Sequence, residues 1–142
     1  MGYRKQYAAL PYVVSRDGIE LCLITSRSTG RWLIPKGWPQ KGMAPHKLAA
    51  LEAFEEAGLK GTIDPRPIGS FRYMKQLGDG SEIECDVSVY PMLVDYQAIN
   101  WPEQEQRTII WVKPQETVKL VDNEKLADIL REFTYECSPT KK

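Results

Sequence analysis

Leu48-Ala49-Ala50-Leu51-Glu52-Ala53-Phe54-Glu55-Glu56-Ala57-Gly58-Leu59 reads as the end of a helix with an unusual distribution of charge. At about 100° per residue, Glu52, Glu55 and Glu56 stand at i, i+3 and i+4 and share an arc of about 100°. The rest of the circumference is Ala49, Ala50, Leu51, Ala53, Phe54 and Ala57, apolar and mostly small, which implies that sheet or backbone packs closely on it. Glutamates on a helix are ordinarily a solvated face. Here, however, like charges at this spacing disfavour the helix by about 0.2–0.5 kcal/mol per pair. The nearest basic residues are Lys47, which points away, and Lys60, beyond the stop at Gly58. A divalent cation would relieve the repulsion, because Mg²⁺ and Mn²⁺ take hard oxygen ligands and Mg²⁺ is commonly held by one or two carboxylates plus water and substrate phosphates. On the residues alone, a metal site and a plain charged face both remain open.

Outward from this helix, Pro45 suits a first helical position and Gly58 a helix stop, so the helix is expected over 45–57. Before it, Pro35-Lys36-Gly37-Trp38-Pro39-Gln40-Lys41-Gly42 reads as a loop. Gly37 and Gly42 allow close backbone approach there, and Arg27, Arg31, Lys36 and Lys41 bring positive charge to the same end, which suits phosphate. Strands are expected at 6–15 and 19–26 around the Asp17-Gly18 turn, and a short one at 31–34. Further extended segments fall near Ile63 and over 68–75, 82–94 and 108–112, with a turn at 77–80. A short helix is expected over 114–121 and a better one over 124–133, where Leu126, Ile129, Leu130 and Phe133 recur at helical spacing. The order is strands, helix, strands, helix in one domain spanning 1–142, with a disordered tail from about 138.

Composition narrows the function classes. Lysine plus arginine (19) equals aspartate plus glutamate (19) in 142 residues, so no overall field draws the chain to nucleic acid or to acidic membranes. No apolar run suits a membrane span and the N-terminus lacks a secretory segment, so a cytoplasmic protein is expected. Cys22, Cys85 and Cys137 are widely spaced and odd in number, and read as reduced packing residues. The single histidine, His46, excludes any mechanism or metal site that needs two, and reads as a partly exposed first-turn residue. Trp32 and Trp38 flank the basic loop and read as core or loop anchors.

Together these residues resemble the Nudix hydrolase signature: Gly, five residues, Glu, seven residues, then Arg-Glu-aliphatic-any-Glu-Glu-any-Gly-aliphatic. Gly37 opens the box and Glu52 to Leu59 close it at the right spacing. Two positions depart from it: Met43 stands at the first glutamate and Leu51 at the arginine. Outside the box, residues 26–37 and 107–114 look like the corresponding stretches of the diphosphoinositol polyphosphate phosphohydrolase branch.

The resemblance implies an α/β/α sandwich with a mixed β-sheet, and metal-dependent hydrolysis of a phosphoanhydride (diphosphate) bond in a phosphorylated small molecule. A diphosphoinositol polyphosphate or a dinucleoside polyphosphate is the leading substrate. A nucleotide-sugar or nucleoside triphosphate pyrophosphatase is the closest enzyme alternative, and a ligand-sensing module without catalysis is the alternative of another class. By the same resemblance Glu52 and Glu56 ligate Mg²⁺ or Mn²⁺, with the backbone carbonyl of Lys36 as a further ligand. Glu55, with Glu52, is the catalytic group that orients or deprotonates water and shares metal contact. Arg27, Arg31, Lys36 and Gly37 face substrate phosphates. The expected partner is that small molecule, with no nucleic acid and no membrane, the protein being a monomer or homodimer. Met43 and Leu51 are expected to replace polar support with apolar packing, leaving a weaker metal site that Met43→Glu would tighten.

Overall fold

The computed structural model describes residues 2–136, with side chains to 133. The expectations for Cys137 and for the tail from 138 lie outside the described residues. The elements run β1 (Arg4–Ser15), β2 (Gly18–Thr25), β3 (Trp32–Leu33), β4 (Lys36–Gly37), α1 (Pro45–Ala57), β5 (Leu59–Ile63), β6 (Gly69–Gln76), β7 (Glu82–Gln97), β8 (Ile109–Val112), α2 (Pro114–Thr117) and α3 (Glu124–Glu136). All the described strands join one sheet, in which β1 and β7 pair in parallel and every other pairing is antiparallel.

Period-2 alternation along the central strands divides two cores. Ala8, Leu10, Leu21, Leu23, Val87 and Val89 face one side, where Leu126, Ile129, Leu130 and Phe133 of α3 cover them. Ala9, Cys22, Ile24, Tyr90 and Met92 face the other, covered by Ala49, Ala53 and Ala57 of α1. The helical layers on both faces of a mixed sheet are the expected sandwich. The alanine stripe at i, i+4 and i+8 lets α1 lie close to β1, as its small residues imply. Across the sheet, Tyr12 meets Phe133 edge to face with ring centroids 4.8 Å apart.

Two prolines sit within the central strands without breaking them. Along one edge, β1 pairs with β4 through Tyr7 and Ala8 and with β2 from Tyr12 onward, and Pro11 falls in the gap between them. Likewise β7 changes partner between Val89 and Met92, from β6 to β5, and Pro91 lies at the change. A residue's N–H and C=O point to the same strand edge, so each missing N–H faces a gap and no ladder bond is lost.

The expected boundaries differ from the observed ones in a few places. The loop expected at 35–42 contains β4, whose two residues pair with Tyr7 and Ala8. β5 begins directly after the α1 stop, and β7 runs three residues past the expected 94. α2 is a single turn ending at Thr117, whose hydroxyl donates to the Pro114 carbonyl at 2.6 Å. No helix among the described residues is long and apolar enough to cross a membrane.

Candidate active site

α1 begins without a side-chain cap at Ala44 and carries no acidic residue in its first turn, so burial of its alanine stripe stabilises it more than its ends do. It stops at Gly58, which has φ +74° and donates its N–H to Ala53 and Phe54. This helix forms one wall of a cleft of about 490 Å³, to which it contributes Glu52 and Glu56. The floor and facing wall come from Gln6 of β1, from Lys36 and Gly37 of β4, and from Lys75 and Gln76 of β6. Arg27, Trp38, Glu103 and Arg107 close the rim from loops.

Gly37 is required by the approach of a side chain. A Cβ added there would lie 2.4 Å from Cδ of Glu52, so only glycine lets Glu52 rest on β4. Glu56 is 5% exposed. Its Oε1 accepts the Lys36 backbone N–H at 3.4 Å and lies 3.8 Å from the Arg107 guanidinium. The carboxyl groups of Glu52 and Glu56 stand close enough on α1 for each to influence the titration of the other. Burial pushes Glu56 up to about 9, helped by the neighbouring Glu52 and opposed by Arg107. Glu52 is raised by burial as well, with the charges of Glu55 and Glu103 adding to it.

Two carboxyl groups this close form a donor set from which a hard divalent cation displaces a bound proton. Among the described residues no three carboxylate, histidine or cysteine side chains converge on one point. A cation held here would therefore complete its shell with backbone carbonyl, water and substrate oxygens, which is the usual habit of Mg²⁺. The residues present fit such an ion.

The expected site residues separate into two groups. Glu52, Glu56, Lys36, Gly37 and Arg27 come together around the cleft, whereas Glu55 and Arg31 do not line it. Glu55 is half-buried on the same helix, and its carbonyl accepts the Glu103 N–H at 3.0 Å. Arg31 reaches Asp122 instead, at 3.5 Å on the exposed surface. Met43 is also outside the cleft lining, its N–H spent on the Gln40 carbonyl. Lys36 places its ammonium 4.9 Å over the Tyr73 ring, and burial lowers it to about 8. The Tyr73 hydroxyl donates in turn to Gln6 Oε1 at 2.6 Å.

Sequence reasoning missed Lys75, Glu103 and Arg107. Arg107 is the most connected of them. Its Nε donates to Glu103 at 2.8 Å and its Nη1 to the Thr25 carbonyl at 3.0 Å, with the side chain only 9% exposed. The only signal in the sequence was the Arg107-Thr108-Ile109-Ile110-Trp111 stretch noted above, which marks a strand and gives no hint of where the arginine points.

No family model matches the chain. Among curated proteins it is 30% identical to Nudix hydrolase 21, chloroplastic, of Arabidopsis thaliana, over 93% of this chain and 67% of that protein. It is 27% identical to diphosphoinositol polyphosphate phosphohydrolase 2 of Rattus norvegicus, over 98% of this chain and 75% of that protein. Among solved structures it resembles the C. elegans Ap4A hydrolase with a TM-score of 0.67 at 19% identity, covering 94% of this chain and 98% of that one. The NUDIX domain of Shewanella oneidensis NrtR, solved with ADP ribose, superposes with a TM-score of 0.66 at 13% identity, over 93% of this chain and 88% of that one. The chain spans about two thirds of the length of the plant relative.

Proposed function

The chain belongs to the Nudix hydrolase family and is a pyrophosphohydrolase of that kind, and from that premise we propose that it cleaves a phosphoanhydride bond in a small, highly phosphorylated molecule with Mg²⁺ or Mn²⁺ bound at α1. The observation that carries this reading is the arrangement of charge in the cleft. The carboxyl groups of Glu52 and Glu56 stand together on α1, while the ammonium groups of Lys36 and Lys75 in the same cleft have no carboxylate within ion-pair distance among the described residues. Buried or half-buried cations without a carboxylate partner call for an anionic ligand.

In this reading Glu52 and Glu56, with the Lys36 carbonyl, hold the cation. When bound, it would neutralise charge on the bridging and terminal phosphate oxygens and acidify a water molecule. Lys36 and Lys75 meet the phosphates from the floor and Arg27 from the rim. Burial lowers Lys36 more than the charge of Glu56 raises it, and a bound phosphate would add counter-charge that favours its protonated form. Glu55, one turn along α1 from Glu52 and outside the cleft lining, would have to swing its carboxylate toward the cleft to take the proton from the attacking water, which Glu52 holds in line. Arg31, turned to Asp122, would have to leave an exposed ion pair worth about 0–1 kcal/mol to reach a substrate.

One relative and one residue bear on substrate. The rat relative is named for diphosphoinositol polyphosphates, and a cleft with several cations suits so dense a charge. The dinucleoside polyphosphate reading is favoured by Trp38, which is among the cleft-lining residues and whose ring, with the Arg4 guanidinium 5.1 Å over one face, would offer its other face to a base. Release of phosphate and nucleotide from diphosphoinositol phosphates, diadenosine polyphosphates, ADP-ribose and nucleoside triphosphates distinguishes these classes. Metal-dependent turnover that Glu55→Gln abolishes is the expected result. Ligand binding without turnover on any of them would make the protein a sensor.

A further inference from the structure

The helix that carries the carboxylates has lost the basic residue of its own box, because Leu51 stands where the signature has arginine. Among the described residues, the only cation within ion-pair distance of Glu52, Glu55 or Glu56 is Arg107, which comes from the loop before β8. That loop is fixed to α1 at several points. The Glu103 N–H donates to the Glu55 carbonyl at 3.0 Å, and the Trp101 ring lies over Gly58. Arg107 spans the remaining gap by bonding Glu103 and the Thr25 carbonyl, which leaves its Nη2 facing Glu56 Oε1 at 3.8 Å. A guanidinium suits this task, since its planar fork can hold three acceptors at once and a lysine ammonium on a flexible stem cannot do so in fixed geometry.

We propose that Arg107, anchored by Glu103 and Thr25, is the positioning residue that holds the Glu56 carboxylate toward the cleft beside Glu52, taking over from a distant loop the support that position 51 lacks. The inference rests on the metal reading given above. It assigns Arg107 to the metal side of the site, whereas a purely phosphate-binding arginine would act on substrate alone.

Mn²⁺ binding measured by electron paramagnetic resonance in the absence of substrate separates these roles. Arg107→Ala is expected to weaken Mn²⁺ binding about tenfold or more, the usual effect of removing a group that orients a metal ligand. Methylguanidinium added to this variant should recover much of the affinity, and Arg107→Lys should fall between it and the wild type. A role confined to folding would lower the melting temperature without rescue by methylguanidinium. If Arg107→Ala does not fold, the lysine variant carries the test. Wild-type Mn²⁺ affinity in the variants, with only KM for substrate raised, would overturn the inference and leave the metal reading standing. Absence of saturable Mn²⁺ binding in the wild-type protein would overturn both.

Discussion

Gly37 and Glu56 show how much of this site depends on contacts made by single atoms. Gly37 leaves room for Glu52, and adding one methyl group in Gly37→Ala would push the carboxylate off β4. Because a misplacement of about 1 Å can cost about a hundredfold in rate, turnover should fall by at least tenfold. Far-ultraviolet circular dichroism should remain native, and an unchanged kcat would show that Glu52 need not lie where it does. Glu56→Gln tests the neighbouring group. The amide resembles the protonated acid that burial favours, so the variant should keep or gain thermal stability while losing Mn²⁺ affinity. The three glutamates on one helical face were visible in the sequence because their spacing is local, though only Glu52 and Glu56 line the cleft. Arg107 and Glu103 were not, because their approach to α1 is created by the turn of a loop some fifty residues away in sequence.

At the scale of elements, α1 is held more firmly at its C-terminal end than at its start. Gly58 adopts φ +74°, and a Cβ there would lie 2.4 Å from the Trp101 ring. Gly58→Ala is therefore strained twice, by its backbone and by the indole that carries the Glu103 loop. A loss of about 1–3 kcal/mol is expected in urea unfolding, together with weaker Mn²⁺ binding as Glu103 and Arg107 shift. Loss of stability with metal affinity intact would separate the loop from the site. The sequence marked this helix well, since Pro45 and Gly58 are strong local signals. It concealed β4, because two residues between Pro35 and Pro39 carry no periodicity and pair only when β1 is alongside. The two cores were foreshadowed by the apolar runs in β1 and β2, which suit strands buried on both faces.

Across the whole molecule, the proton held at the carboxylate pair links stability to pH. Folded, metal-free protein keeps Glu56 protonated up to about 9, whereas an ordinary glutamate releases its proton near 4.5. Between those values the folded state binds more protons than the unfolded chain, so this group's contribution falls as pH rises. Lys36 acts in the opposite sense, but only above about 8, where its lowered value begins to separate from the usual 10.5. The melting temperature of metal-free protein should therefore carry a downward component between about pH 5 and about pH 8. Mn²⁺ should stabilise more at the upper end of that range, because it displaces the proton. Stabilisation by Mn²⁺ that weakens as pH rises would contradict this assignment.

On the proposed function, a cation held by Glu52 and Glu56 drives phosphoanhydride hydrolysis. This role is tested most directly by titrating Mg²⁺ into chelator-treated protein while following phosphate release from a diphosphoinositol polyphosphate and from a diadenosine polyphosphate, for the wild type and Glu56→Gln side by side. No turnover without metal, saturable recovery in the wild type, and at most a small residual rate in the variant at any Mg²⁺ concentration are expected. Full turnover in the presence of chelator, or equal recovery in Glu56→Gln, would contradict that role.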